Sequence, residues 1–412
     1  MICLSVEQVE EGMVLARPLQ HPLQPGVVLL QAGCRLDSRS IGLLPQYNVS
    51  RLWVQHADFE DLDRYLNPGV GELRTQLRHH LKGFFAGITS KSGTVDPKND
   101  LALTDDLIKE LSTDTQHAVY VARHVDSEDD LAGHSANTAY LSTVLGLWLR
   151  GYIVEQRKSV PSSVAMDLSN LVLGAVLHDV GKLGLDRSMQ GTHHCDESKC
   201  TKDYRDHAER GYRLLHGRIE ATASAAVLHH HQRFDGQGFP AIRSRQDDKR
   251  AAPLSGRAIH IFPRVVAVAN TLDALFCAAH RDGRPLAWAL AALQSTEVRS
   301  MFDPVVLLTA LQCVQPFPVA SVVGLSDGRQ AVVIEQNADK PCRPAVRTLD
   351  GGISTGTRAK EELDLARPGA PTIACQGANR IDQYLYDISP ELLRDAAKAG
   401  STQVEAAVTA DV

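Results

Sequence analysis

His134, His178, Asp179, His207, His230 and His231 are side chains able to hold a metal ion, and they recur along the middle of this 412-residue chain. The densest stretch runs Leu177, His178, Asp179, Val180, Gly181, Lys182. Its imidazole and carboxylate close an apolar run, Leu171 to Leu177, whose pattern reads as a buried helix ending at Gly181. An ionised, unpaired carboxylate in such a place costs several kcal/mol, so a metal or another cation is its natural counter-charge. Lys182 follows the glycine, where it can reach an anionic ligand as a point charge or complement the helix dipole. Imidazole nitrogens with one or two carboxylates suit iron or manganese, with zinc or nickel next, and not a hard all-oxygen magnesium site. A single histidine of this kind is more often a satisfied core or surface residue, so the set has to carry the argument.

Other motifs extend the pattern: Gly133, His134, Ser135, Ala136, Asn137; then His207 and Gly211; then His230, His231, Gln232, Arg233, Phe234, Asp235, Gly236, Gln237, Gly238, Phe239, Pro240. In this order, over residues 120 to 345, they resemble the HD-GYP family, a subgroup of the HD-domain phosphohydrolases. The resemblance implies hydrolysis of the messenger cyclic di-GMP, to the linear dinucleotide or to GMP, with two or three transition metal ions, iron or manganese first. It implies one metal site from His134, His178 and Asp179, with Asp179 bridging to a second from His207, His230 and His231. The 29-residue gap from His178 to His207 matches the family's spacing. Asp179 and Lys182 are the expected catalytic residues. Asp130, four residues before His134, stands where three-metal members carry a glutamate; the bland reading makes it one more residue of the acidic run Glu128 to Asp130. Lys182, Asp235, Gly236, Gly238, Phe239 and Arg284 are the expected substrate contacts. Gly236 and Gly238 permit a tight turn, and Asp235 is expected to orient that turn or a ligand histidine.

Three departures from the family pattern bear on activity. Gln232 replaces a glutamate, and Phe239 replaces the tyrosine of GYP. Asn270 replaces an aspartate that closes the first metal site, keeping an amide oxygen but no charge. Asp273, three residues on, would compensate only if its helix rotated. The family's Arg-Pro-Tyr segment is not cleanly present, and Arg281 or Arg284 with Pro285 stands in at a longer spacing. Two readings follow: a cyclic di-GMP phosphodiesterase, or a weakened HD-GYP protein that binds the nucleotide, or a protein partner such as a diguanylate cyclase, without cleaving it.

The elements that must position these residues are mainly helical. With 43 % apolar residues and 5 % aromatics the composition is that of an ordinary helix-rich globular chain. Residues 1–68 alternate short apolar runs with turn residues and predict a β-rich accessory domain with a packing or dimerising role. Residues 69–100 read as a helical linker region and 101–315 as the helical HD-GYP domain. Residues 316–395 read as a β-rich module with a hairpin over Ser321–Leu325 and Ala331–Glu335, turning at Asp327 and Gly328. Residues 396–412 read as a frayed tail. The net charge of −6 offers no basic field for long nucleic acid. The start of the chain is acidic and not signal-like, no uninterrupted apolar run of membrane length is evident, and the eight scattered cysteines fit a reducing cytoplasm. Cys195 and Cys200 beside His193 and His194 match no common zinc pattern and read as a surface loop.

Overall fold

In the computed structural model, the described residues are 1–21, 27–47, 49, 51–65, 68–89, 98–113, 130–186, 190, 201–243, 251–350, 353, 358–377 and 379–400. The cysteine and histidine pairs at 193–200 lie outside them. The chain divides into two compact units: Met1–Asn67 with Pro285–Ala291 and Val314–Asp387, and Pro68–Arg284 with Ala292–Cys313 and Ile388–Val412.

The second unit is helical. Its central helix α3 (Leu131–Trp148) is buried from Leu131 through Leu147, which its nearly unbroken apolar and small-residue sequence requires. Around it pack α1 (Pro68–Thr89), α2 (Lys98–Thr113), α4 (Ser169–Leu177), α7 (Ile261–Arg281) and α8 (Pro304–Cys313). Helices α5 (His207–Leu215) and α6 (Ala221–His229) complete the wall near α4, and α9 (Pro390–Ala399) returns to pack on α8. Residues 396–399, expected to fray, are thus helical: Ser389 caps α9 by accepting from the Leu392 amide, and Leu392 and Ala396 are buried. Helix α4 ends at Leu177 and not at Gly181, which instead lies in a 3-10 turn over Val180–Gly184.

Small residues set the close approaches. A Cβ on Gly174 would lie 2.6 Å from Ala226 Cβ, so α4 and α6 meet nearly backbone to backbone. A Cβ on Gly181 would lie 2.0 Å from the His207 carbonyl oxygen and 2.6 Å from the Gly211 amide, so the turn after α4 is wedged against α5. Buried Val265, Val266, Val268 and Leu272 form the inner stripe of α7, each side chain contributing about 1.5–3 kcal/mol on burial. Ser162–Gly184 and Ile261–Arg281 are long and apolar enough to cross a membrane by composition, but 72 % and 61 % of their apolar windows are buried in this unit.

The first unit is built on β-structure. Strands β1 (Ile2–Ser5) and β2 (Arg51–Val54) pair antiparallel. Strands β3 (Val322–Leu325), β4 (Gln330–Glu335), β5 (Ala345–Asp350), β6 (Arg358–Asp364), β7 (Ile373–Gln376) and β8 (Asn379–Arg380) form one antiparallel sheet in the order β6-β5-β4-β3-β7-β8. The expected hairpin is β3–β4, with Gly328 at φ +88° in the turn. The unit's two main segments are tied together: the Cys3 amide donates to the Ala320 carbonyl at 2.9 Å. Arg347 stacks 5.3 Å above Phe59 and pairs with Asp61 and Glu362.

Candidate metal centre

Asp179 comes just after His178, the C-cap of α4, is fully buried, and lies where four imidazoles converge. Its two oxygens are divided between them. Oδ2 lies 3.4 Å from His134 Nε2 and 3.3 Å from His178 Nε2. Oδ1 lies 3.1 Å from His207 Nε2 and 3.6 Å from His230 Nε2. With His231 included, the ligand-type atoms fall into two groups sharing Asp179, each with its atoms within 4.8 Å of one another: His134, His178, Asp179; and Asp179, His207, His230, His231.

The rings are held from behind. His178 Nδ1 donates to the Ala175 carbonyl at 2.7 Å and His230 Nδ1 to the Val227 carbonyl at 2.8 Å. His207 Nδ1 donates to the Tyr204 carbonyl. A carbonyl only accepts, so in the neutral ring Nδ1 carries the proton and Nε2 a lone pair. His134 Nδ1 is bound instead by Asp273 Oδ2 at 2.6 Å, and Asp273 Oδ1 takes the Asn137 amide at 2.9 Å. Asp273 is completely buried and lies nearly one helical turn past Asn270. That turn puts it on the back of His134, where a positioning carboxylate belongs.

Two consequences are electrostatic. His178 Nε2 faces His134 Nε2 at 3.2 Å, and His207 Nε2 faces His230 Nε2 at 3.2 Å. In their neutral states these are lone pairs pointed at each other. Buried His231 Nε2 has no hydrogen-bond partner, and the buried Asp179 oxygens are met by the imidazoles and by the Lys182 ammonium only as ion pairs. A buried orphan costs about 1–3 kcal/mol, and cations between the facing nitrogens would remove the cost. The donor set fits two transition metal ions.

Burial would push the Asp179 carboxyl up, but His178, Lys182 and His134 hold it well below the usual carboxylate range. Burial and the neighbouring His178 push His230 down to about 4, so it stands neutral and ready to coordinate. His134 moves the other way: burial opposes its charge, yet the bonds to Asp179 and Asp273 carry it up to about 9. Lys182 Nζ lies 2.6 Å from Asp179 Oδ2 and 5.0 Å from the Tyr204 ring centroid. Burial disfavours its charge, but Asp179 and Tyr204 outweigh that and raise it.

A cavity borders this centre, lined by His134, Lys182, Tyr204, His230 and His231 together with Asn270, Thr271, Leu275, Val298, Met301 and Phe302. Asn270 and His134 therefore line the same cavity. Arg233 also lines it, its guanidinium held by Asp235 at 3.1 and 2.6 Å; sequence reasoning passed it over because a lone arginine in a loop carries no ligand signature. Asp235 orients the turn by accepting from the Gln237 amide at 3.0 Å. Gly236 takes φ +80°. A Cβ on Gly238 would lie 2.3 Å from the His231 carbonyl, so the loop folds tightly onto the histidine pair. Phe239 stacks on His231 with ring centroids 4.5 Å apart. Gln232 donates to the Pro240 carbonyl at 2.6 Å and accepts from the Leu254 amide at 2.9 Å; a carboxylate could not make the first of these bonds.

Two expected site residues lie elsewhere. Asp130 is not on a helix with His134: it is the N-cap of α3, accepting from the Gly133 amide at 2.6 Å, and its other oxygen pairs with Arg78 at 3.1 Å and Lys82 at 3.0 Å. Both oxygens being committed, it is a cap and counter-ion. Arg284 follows the end of α7, is 42 % exposed and pairs with Asp282 at 3.8 Å. Helical rise carries the chain about 17 Å from Asn270 to Arg281, which takes Arg284 off the cavity wall.

Residues 131–275 match the HD domain. This segment is an HD domain. The chain is 28 % identical over 207 residues to a cyclic di-GMP phosphodiesterase of Pseudomonas aeruginosa, covering 48 % of this chain and 45 % of that protein. It is 31 % identical over 192 residues to the cyclic di-GMP phosphodiesterase response regulator RpfG of Xanthomonas campestris, covering 45 % and 44 %. A cyclic di-GMP phosphodiesterase of Thermotoga maritima is 29 % identical over 155 residues, covering 36 % and 37 %. The chain thus spans less than half the length of the curated relatives it matches.

Proposed function

We propose that this HD domain is of the HD-GYP kind, a metal-dependent phosphodiesterase that opens cyclic di-GMP to the linear dinucleotide or to GMP. The observation that carries the reading is the division of one buried carboxylate between two facing pairs of imidazole nitrogens. His134, His178 and Asp179 would hold one ion; Asp179, His207, His230 and His231 would hold the other. Iron or manganese bound there supplies a water acidic enough to attack at neutral pH and positive charge on the phosphate.

The chain's own groups do the rest. Asp273 and the three backbone carbonyls hold each ring at Nδ1 and turn Nε2 toward the centre, so only a proton on His134 has to leave when a cation enters. Lys182, cationic and buried in the cavity lining, neutralises an anionic phosphate where water is scarce. Leu275, Val298, Met301 and Phe302 add apolar lining that disfavours solvent. Asn270 offers an amide oxygen without charge, so the first ion is held less tightly than an aspartate would hold it.

Asn270 also favours a second reading, in which the domain binds the nucleotide and does not cleave it. Anaerobic purification, metal analysis and chromatography of cyclic di-GMP incubations separate the two. The phosphodiesterase reading expects two ions per chain and turnover that His178→Ala lowers by more than the about 10–100-fold typical of an outer partner's loss. Metal-loaded protein that binds cyclic di-GMP at micromolar concentration without turnover supports the second reading and ends the first.

A further inference from the structure

His134, His178, His207 and His230 each have a ring fixed by a hydrogen bond on Nδ1. His231 has no such bond among the described residues, and its Nε2 is buried without a partner. What lies flat against it is Phe239, with ring centroids 4.5 Å apart and planes 18° from parallel. The stack is delivered by the backbone: the Phe239 amide donates to the His231 carbonyl at 3.1 Å, and the hydrogen-only side of Gly238 lets the loop fold onto residues 231–233. The Arg205 guanidinium stands 5.7 Å from the Phe239 centroid, and Phe239 is 8 % exposed, so its ring has little freedom.

We propose that Phe239 is a positioning residue which fixes the ring of His231 by stacking, so that this histidine presents Nε2 to a divalent transition metal ion shared with Asp179, His207 and His230. The inference rests on the metal-centre reading above. Offset aromatic faces hold each other's orientation through the ring quadrupole and buried area, and a phenol oxygen adds nothing to a flat stack. A phenylalanine therefore serves here as well as a tyrosine. Phe239 acts through His231 instead of touching the nucleotide.

The test uses the full chain, stripped of metal by chelation and titrated with Co2+ under anaerobic conditions while its visible d–d absorption is followed. The parent takes up two ions. Phe239→Leu weakens one of them about tenfold, the scale for losing a ligand's supporting partner, and shifts that ion's band; His231→Ala marks the limit of the effect. Phe239→Tyr recovers the parental titration. In turnover, Phe239→Leu lowers kcat with KM for cyclic di-GMP unchanged. If circular dichroism shows Phe239→Leu unfolded, Phe239→Met gives the same readout. Parental affinity for both ions in the leucine or methionine variant overturns the inference, as does a raised KM with unchanged kcat, which marks a substrate contact. A parent that binds no Co2+ instead removes the metal centre itself.

Discussion

Asp273 fixes both the tautomer and the charge behind His134. Replacing it by asparagine keeps an oxygen near Nδ1 but removes the negative charge that makes the imidazole a strong donor. Asp273→Asn is expected to weaken the ion at the His134 group about 10–100-fold and leave the ion at the His207 group unchanged, as measured by titration of the metal-free protein. At this scale the six ligand-type residues were readable from residue type and spacing, because coordination chemistry restricts both. Asp273 was not, since a supporting carboxylate has no required spacing from the ring it serves. Asp130 was misread for a related reason: four residues before His134 suggests one helical face, but an aspartate ahead of an apolar run is as readily the N-cap, and Arg78 and Lys82 on another helix complete its role.

The elements hold the histidines through places where a methyl group does not fit. Gly181→Ala would set a Cβ 2.0 Å from the His207 carbonyl, forcing the turn after α4 away from α5. The expected cost is about 1–3 kcal/mol, as for other overpacked sites, read as a lower urea midpoint at unchanged slope. Gly184→Ala, whose Cβ meets nothing within 4 Å, should stay within about 0.5 kcal/mol of the parent. The helices themselves were legible, since buried runs such as Leu171–Leu177 are strongly apolar. The end of α4 was not: a glycine after an apolar run signals a stop, yet here it marks a contact with His207 four residues beyond the helix. Strand β6 escaped for the opposite reason. It is a charged edge strand, Arg358–Asp364, largely exposed, and an edge has no buried face to impose alternation.

For the whole molecule, the perturbed imidazoles give metal-free protein a definite pH response. His229, His230 and His260 are each pushed down to about 4, chiefly by burial, whereas the unfolded chain protonates them near 6.5. Stability is therefore fully present above pH 6.5 and is lost as pH falls toward 4, because the unfolded state then binds more protons. His134, raised to about 9, is already charged in this window and adds stability that fades only above 6.5. Thermal melts of the chelated protein are expected to drop steadily from pH 6.5 to 4.5; a flat profile would contradict the buried, neutral state of these rings. The discontinuous course of the helical unit also bears on synthesis. Every ligand-type side chain of the centre is encoded before residue 282, but the part of α8 that packs on α9 is covered only when Pro390–Ala399 arrives. On a ribosome adding about 5–20 residues per second, the gap between Cys313 and Pro390 leaves that part of α8 open for several seconds, an interval in which a chaperone has something to hold.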